Sequence, residues 1–318
     1  MTKEDTISPR LSSAYMKDKN HLLVEFTEPI DSSKISNNNF YLFDSTRNIK
    51  INAKYFYKYD AKPKQFYLAF DEENTFQNYF LVAKNIFDLL GNKTDEDKIQ
   101  FLFNNELDTT INKPTKVYGS FENDKVDYEN PKLKIQFADA VELNDIISRI
   151  KIEDTKKNSL QFFLSKIDDA LFEIKIDSKL KQASDYFIYF DSKGFKDFSK
   201  KTVDTTYKFT ITTNSELDFS AASGQIENSD SSDVVFNLKS VNNKNNYSLN
   251  LKKKNKFNFE KVIPDKYLLW AFKDKIKNEK YDYGKINPFN YSEEFYFYPD
   301  TLNLRARWPV GDIEFRLK

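Results

Sequence analysis

Oxygen-bearing side chains recur at four-residue intervals near the end of the chain, where Asp274, Asn278 and Asp282 precede Gly284. A short loop with such side chains can wrap a calcium ion, which takes about six to eight oxygen ligands. Ile276 stands where a further ligand is expected, and the lysines of the same loop repel a divalent cation. Calcium binding and a hairpin loop ordered by Asx hydrogen bonds both stay open. Calcium is the only cofactor that the sequence suggests.

Four consecutive aromatic residues, Phe295, Tyr296, Phe297 and Tyr298, lie shortly before Trp308. Exposed rings of this kind can stack against sugars or nucleic-acid bases. Successive side chains of a strand alternate between its two faces, so we expect Phe295 and Phe297 in the core and both tyrosines facing solvent. Tyr296 and Tyr298 are therefore candidate interaction residues.

Arg305, Arg307 and Trp308 form a further candidate interaction site, because they combine planar charge with an aromatic ring. Arginine and tryptophan are among the residues that most often anchor protein–protein contacts. The competing interpretation is strand packing with Trp308 in the core of the last domain, and the sequence favours that interpretation.

The chain has few of the residues that metal and nucleophilic catalysis require. It contains no cysteine and one histidine, His21, so thiolate or multi-histidine metal sites and Ser-His-Asp catalysis are difficult to build. Because His21 precedes an apolar run that begins at Leu22, we expect it at the surface where a strand begins. Glu293 and Glu294 could supply paired carboxylates, but alternating solvent exposure along a strand explains their presence. The sequence predicts no enzyme, and a hydrolase that uses paired carboxylates is the alternative.

Charge and hydropathy limit the classes of partner. Lysine plus arginine and aspartate plus glutamate number 49 each, which argues against a general nucleic-acid binder with a basic face. The lysine-rich run at residues 252–256 is interpreted as a solvated turn, with contact to anionic lipid as the alternative. No apolar stretch approaches the roughly 18 residues of a membrane-spanning helix.

Short apolar runs spaced about ten residues apart, with polar turn clusters between them, are typical of antiparallel β-sandwiches. The 30 phenylalanines and 19 tyrosines suit the half-buried face of a sheet. Residues 49–57 alternate with period two, which predicts one strand with Ile49, Ile51 and Tyr55 on one face. Residues 140–150 are the best helical candidate, of one or two turns.

The second stretch of the chain repeats the first at an offset of about 110 residues. Residues 22–30 match residues 133–141, and residues 79–82 match residues 186–189. A third pair of matching blocks follows in the same order, which indicates duplication. The predicted organisation is a tether over residues 1–10 and three domains, at residues 11–113, 114–215 and 216–318.

The first copy carries residues at the spacing of a known family: Phe26, Glu28, Pro29, Ile30, Asp31, Tyr79, Asp88, Gly91 and Asn92. This pattern resembles the bacterial Ig-like domain first known from surface-layer proteins. The second copy retains Phe137, Asp139, Tyr186 and Asp197, whereas Ala140 replaces the proline. The resemblance implies an Ig-like sandwich in which Asp88 orders a turn.

The sequence pattern of the first two predicted domains does not continue after residue 216. Phe257, Phe259, Pro264 and Tyr267 follow a pattern similar to the carboxypeptidase-regulatory-like or transthyretin-like sandwich. The tail resembles a Bacteroidetes lipoprotein type in which Ig-like domains precede such a sandwich, and residues 5–9 resemble the segment after its lipid-bearing cysteine. The resemblance implies export, outer-membrane anchoring through an upstream segment, and no catalysis.

Together these observations predict an all-β protein of tandem Ig-like sandwiches followed by a third small sandwich. The predicted function is that of a non-catalytic envelope lipoprotein, a binding or scaffolding subunit of an outer-membrane or cell-surface protein complex. The alternative is a glycan-binding surface protein that uses exposed aromatic residues. The expected partner is an outer-membrane or surface protein. Whether the protein faces the periplasm or the exterior stays open.

Overall fold

Strands joined by short turns form most of the regular structure in this computed structural model. It describes residues 5–58, 62–71, 79–119, 121, 124–195, 203–227, 233–252 and 254–317. The chain divides into two units, Met1–Thr213 and Asn214–Lys318. Among the described residues there is no helical segment with the length and apolar character of a membrane span.

The first sandwich consists of two four-stranded sheets whose apolar faces meet in one core. Its strands are β1 (Leu11–Met16), β2 (His21–Phe26), β3 (Phe40–Asp44), β4 (Ile49–Asn52), β5 (Tyr55–Lys58), β6 (Gln65–Ala69), β7 (Tyr79–Phe87) and β8 (Lys93–Phe101). The sheets run β1-β2-β6-β5 and β4-β3-β7-β8. Alternation along β2 buries Leu22, Val24 and Phe26 in this core. The ring of Phe26 lies 6.4 Å from that of Phe40 in the facing sheet.

Residues 49–57 form two strands in different sheets, where the sequence predicts one. β4 pairs with β3, whereas β5 pairs with β6 in the facing sheet. The crossing shifts the phase of the pattern by one residue, so Phe56 rather than Tyr55 enters the core of the first sandwich. Tyr55 and Tyr57 belong to a separate buried cluster. Alternation does not reveal the crossing, because the inner faces of both sheets are apolar.

The second sandwich repeats the strand order of the first, except that no strand among the described residues corresponds to β4. Its elements are β9 (Pro114–Gly119), β10 (Lys132–Phe137), α1 (Leu143–Ile147), β11 (Ile150–Asp154), β12 (Phe162–Lys166), β13 (Leu171–Ile176), β14 (Asp185–Asp191) and β15 (Thr206–Thr212). The order β9-β10-β13-β12 corresponds to β1-β2-β6-β5, and β11-β14-β15 corresponds to β3-β7-β8. Helix α1 lies inside the predicted helical segment. Asp197 lies outside the described residues.

The third sandwich occupies the unit Asn214–Lys318. Its strands are β16 (Ser220–Glu227), β17 (Val234–Ser240), β18 (Asn246–Asn250), β19 (Lys256–Val262), β20 (Asp265–Lys273), β21 (Lys285–Ile286), β22 (Phe289–Asn290), β23 (Phe295–Phe297), β24 (Leu302–Leu304) and β25 (Val310–Arg316). One sheet runs β19-β16-β25 and the other β18-β17-β20-β23, with β24 also paired to β20. β21 and β22 form a separate hairpin. The predicted fold class, tandem Ig-like sandwiches followed by a third small sandwich, is confirmed.

Candidate functional site

The three predicted calcium ligands each bind backbone amides of their own loop. Asp274 is buried, and its carboxylate accepts the N–H groups of Asn278 and Glu279 at 3.1 and 2.9 Å. The Asn278 side chain accepts the N–H of Lys280, and Asp282 accepts that of Gly284, both at 2.8 Å. These bonds are those of the Asx-ordered hairpin loop. Calcium binding at Asp274, Asn278 and Asp282 stays a prediction.

Glu293 and Glu294 have opposite environments. Glu293 is buried and accepts the N–H groups of Lys275 and Asp282, so it fastens the loop from inside. Glu294 is exposed, and its carboxylate lies 2.8 Å from the Lys275 amine and 3.4 Å from the Lys273 amine. The hydrogen bond from Lys275 lowers the pKa of Glu294 to about 2. The loop therefore buries the carboxylate of Glu293, whereas lysine side chains neutralise the carboxylate of Glu294.

The prediction for the aromatic run at residues 295–298 assigns the buried and exposed side chains the wrong way round. Phe295 and Phe297 are 51% and 60% exposed, whereas Tyr296 and Tyr298 pack against the core of the third sandwich. Register sets this phase, because Phe297 pairs with Trp270 on the outer face of β20. The sequence shows alternation but not which face is buried. Tyr296 and Tyr298 are therefore poor candidates for an exposed platform.

The exposed phenylalanines belong to a chain of ring contacts that we call the aromatic ladder, formed by Trp270, Phe272, Tyr281, Phe295 and Phe297. The ring of Trp270 lies 6.3 Å from that of Phe297 and 5.8 Å from that of Phe272. Phe295 lies 5.7 Å from Phe297 and 5.6 Å from Tyr281. The ladder gives the outer face of this sheet an aromatic surface that is exposed at Phe295 and Phe297 and buried at Phe272.

Trp308 lies on an exposed turn, and the prediction that it packs in the core is wrong. Its side chain is 73% exposed, and Arg305 and Arg307 are exposed beside it. β24 ends at Leu304, and the N–H of Trp308 then bonds to the carbonyl of Arg305 at 3.0 Å. Arg307 has a left-handed backbone, with φ at 68°. The turn breaks the alternation that would otherwise carry Trp308 inward, and it presents all three side chains together.

His21 is buried, and the prediction of a surface position is wrong. Only 3% of the residue is exposed, because the second sandwich packs over the strand that it begins. Its Nδ1 lies 2.9 Å from Asp18, and its Nε2 lies 3.1 Å from Asp139 of the second sandwich. The Tyr57 hydroxyl donates to Asp139 at 2.8 Å. We call Asp18, His21, Tyr57 and Asp139 the junction network.

The junction network holds a charged imidazole between two carboxylates. Burial alone would lower the pKa of His21, but hydrogen bonds to Asp139 and Asp18 outweigh it and raise the pKa to about 10. Burial opposes ionisation of Asp18 and Asp139 too, yet the pairing with His21 lowers the pKa of each. Burial raises the pKa of Tyr57, which therefore remains a donor. At neutral pH the network is a buried ion triad.

The linker between the first two sandwiches closes over the junction network. The Asn112 side chain accepts the N–H of Asp139 and donates to the carbonyl of Ala140. Oxygen and nitrogen ligand atoms of Asp18, His21 and Asp108 lie within 4.8 Å of one another. All of these residues are buried. The first sandwich, the linker and the second sandwich thus meet in one polar cluster.

Contacts around the junction network extend this joint. The Tyr55 hydroxyl donates to Glu142 at 2.8 Å, and the Phe56 N–H donates to Asp169 at 2.6 Å. The surrounding apolar cluster comprises Tyr55, Tyr57, Tyr67, Ala69, Ala140 and Ala170, with Leu23 against it. Both sandwiches contribute to the cluster. The first two sandwiches therefore share a buried interface with its own polar and apolar parts.

Asp88 orders a turn, as the Ig-like resemblance implies. Its carboxylate accepts the N–H groups of Leu90 and Asn92 and the side-chain amide of Asn92, each at 2.8 Å. These hydrogen bonds lower the pKa of Asp88 although burial opposes them. Asp5 and Glu28 lie near it, within 4.8 Å between ligand atoms. The bonds to the turn account for the position of Asp88.

The chain matches no protein-family model and no curated protein. Among solved structures it is similar to the N-terminal part of the bacterial S-layer protein SbsC, with 15% identity over 66% of this chain and 45% of that one and a TM-score of 0.28. The S-layer protein rSbsC shows 12% identity over 95% of this chain and 41% of that one, with a TM-score of 0.29. BcpA, the major pilin subunit of Bacillus cereus, shows 12% identity over 89% and 95%, with a TM-score of 0.21. The chain spans less than half the length of either S-layer structure.

Proposed function

We propose that this chain is a non-catalytic module of the cell envelope that binds or scaffolds a partner protein through Arg305, Arg307 and Trp308. The observation that carries the proposal is the exposure of these three side chains on one tight turn. Tryptophan and arginine are the residues that most often dominate the energy of protein–protein contacts. A stable contact centred on this turn would cover roughly 1,200–2,000 Å² in total.

The joint between the first two sandwiches supports a scaffolding role. A buried ion pair, a buried hydrogen bond and an apolar cluster connect the two sandwiches, so bending at the joint would separate Asp139 from His21 and Tyr57. Exposing one partner of a buried pair while the other stays buried is costly. A spacer that resists bending suits a protein that holds other envelope components at a set distance.

The envelope location rests on the resemblance of residues 5–9 and of the tail to outer-membrane lipoproteins. In this proposal the lipid-bearing cysteine precedes residue 1, because residues 1–318 contain no cysteine. Metabolic labelling of the full-length protein with an alkyne fatty acid, followed by membrane fractionation, tests it. An unlabelled protein in the soluble fraction would remove the lipoprotein part of the proposal and leave the binding part standing.

Extraction of the full-length, natively anchored protein in mild detergent, followed by mass spectrometry, tests the binding role. We expect a stoichiometric partner with the wild-type protein, at least tenfold less of it with Trp308→Ala, and no change with Tyr15→Ala. Tyr15 is a matched control, because it is an exposed aromatic residue on β1. A partner recovered equally with all three proteins would place the contact elsewhere, and recovery of a solitary wild-type protein would contradict the scaffold role.

Glycan binding is a second candidate function, and the aromatic ladder is the observation that favours it. Half-exposed rings side by side on a sheet suit the apolar faces of sugars, and Phe295 and Phe297 now take the place expected for Tyr296 and Tyr298. Glycan-array binding that vanishes in Phe295→Ala and Phe297→Ala but persists in Trp308→Ala would favour this candidate over the first.

A further inference from the structure

The β21–β22 hairpin and the residue after it carry large apolar side chains that are largely exposed. Ile286 is 93% exposed, Phe289 69% and Tyr291 81%. The rings of Phe289 and Tyr291 contact each other with centroids 4.8 Å apart. Clustered exposed apolar side chains on a protein surface usually mark a contact site.

The loop around this hairpin, residues 274–294, exposes four lysines and two glutamates. Asp274 and Glu293 point inward and accept backbone N–H groups of the loop. Lys277, Lys280 and Lys285 point outward and are exposed. Within the part of the chain that the structure describes, none of these three lysines forms a salt bridge. Glu294 pairs with Lys275, and the exposed Glu279 accepts a hydrogen bond from the Asn250 side chain, so the loop presents apolar tips together with an excess of exposed positive charge.

This combination of side chains fits a lipid surface better than a protein surface. Lysine is depleted at the cores of protein–protein interfaces, where arginine is preferred. Near an anionic bilayer, each lysine gains attraction from lipid phosphates, while aromatic and aliphatic side chains enter the headgroup region. Charge complementarity and exposed apolar tips on one short element thus point to the same occupant.

We propose that the β21–β22 hairpin docks on the surface of an anionic lipid bilayer. Ile286 and Phe289 enter the headgroup region, and Lys277, Lys280 and Lys285 lie near lipid phosphates. Tyr291 lies at the boundary between water and headgroups, where amphipathic rings are favoured. This inference goes beyond the proposed protein contact at Trp308 and does not depend on it.

Flotation of the 318-residue chain with unilamellar vesicles tests the proposal. One set of vesicles is pure phosphatidylcholine, and the other contains seven parts phosphatidylcholine to three parts phosphatidylglycerol. We expect binding to the anionic vesicles, weak or no binding to the neutral ones, and a loss of binding at high salt because salt screens surface charge.

Paired variants separate the hairpin from the rest of the surface. We expect Lys280→Ala with Lys285→Ala to weaken binding by about fivefold for each lysine, and Ile286→Ser with Phe289→Ser by about tenfold for each residue. Lys254→Ala with Lys256→Ala is the charge-matched control, and Leu102→Ser, at 90% exposure, is the apolar control. Both controls and Trp308→Ala should float like the wild-type protein. All substituted side chains are exposed, so thermal unfolding should be unchanged.

Three results would overturn the proposal. The first is a wild-type protein that does not float with anionic vesicles at low salt. The second is flotation that falls with Lys254→Ala and Lys256→Ala but not with the hairpin variants, which would assign lipid contact to the basic turn. The third is a wild-type protein that ignores vesicles while the hairpin variants lose a protein partner in the detergent extraction, which would assign the hairpin to that partner.

Discussion

At the scale of single residues, the junction network shows how a buried imidazole can be held in its protonated, positively charged form. His21 lies between Asp18 and Asp139, and Tyr57 adds a hydrogen bond to Asp139. A buried charge is tolerated when it is paired and hydrogen-bonded, and each member of this network meets that condition. Removing the imidazole would leave buried carboxylates without their cation, a change that typically costs about 3–5 kcal/mol of unfolding free energy.

The pH dependence of stability follows from the raised pKa of His21. The pKa is about 6.5 in an unfolded chain and about 10 in the folded protein. A raised folded pKa gives stability that is complete below about pH 6.5 and is lost as the pH rises toward 10. The lowered pKa values of Asp18 and Asp139 act in the opposite sense, so their contribution is lost as the pH falls below about 4.

We therefore expect the unfolding free energy of the wild-type protein to fall by up to about 1.4 kcal/mol per pH unit between about pH 7 and 9. His21→Gln, which cannot hold the proton, should start lower and show a flatter profile. Urea denaturation of the two proteins at several pH values measures the difference. Parallel profiles would contradict a charged His21 in the folded protein.

At the scale of elements, the phase of a strand is decided by its neighbour and not by its own alternation. β23 alternates as predicted, yet its register with β20 exposes Phe297 and turns Tyr298 toward Phe315, whose ring lies 6.4 Å away. A strand with aromatic residues on both of its faces can pack either face against a core. Pairing with β20 selects the one that completes the aromatic ladder.

This phase predicts unequal effects of two neighbouring substitutions. Tyr298→Ser should lower the unfolding free energy by about 2–3 kcal/mol, because it removes a ring packed on the core. Phe297→Ser should change it by less than about 0.5 kcal/mol, because that ring is largely exposed. Chemical denaturation of both variants measures this. Equal losses, or a larger loss with Phe297→Ser, would mean that the strand has the phase first predicted from its sequence.

The sequence predicts most strands well, because their alternation is a pattern within one segment, and the repeated strand order agrees with the duplication that it indicates. Leu22, Val24 and Phe26 alternate into the core as their spacing predicts. The burial of His21 depends on a second sandwich packing over it, which no local pattern encodes. One signal was available: β5 and β6 are apolar on both faces, and a strand with two apolar faces is covered on both sides.

At the scale of the whole molecule, the first two sandwiches form one compact unit with a shared interface. β5 and β6 contribute one face to the core of the first sandwich and the other to the cluster against Ala140 and Ala170. Loss of packing in one sandwich should therefore reach the other through these strands. This coupling is the physical basis of the proposed spacer.

Hydrogen exchange tests the coupling. Phe172→Ala removes a fully buried ring from the second sandwich and should cost about 3–5 kcal/mol. We expect amide protection to fall in β5 and β6 of the first sandwich and less in β3, which lies in the sheet away from the joint. Exchange measured by mass spectrometry resolves these segments. Changes confined to β9–β15 would show that the two sandwiches unfold independently.

The parallel pairing of β16 with β25 ties the first strand of the third sandwich to its last. Ala222 pairs with Val310, so the contact spans most of that unit. Closing so long a loop is entropically slow, and contacts between distant residues delay folding. Ile313 and Phe315 of β25 belong to the core, so the unit stays incomplete until its final strand has been synthesised. Core formation in this unit is therefore completed after the synthesis of Val310–Arg316, rather than strand by strand as the chain emerges.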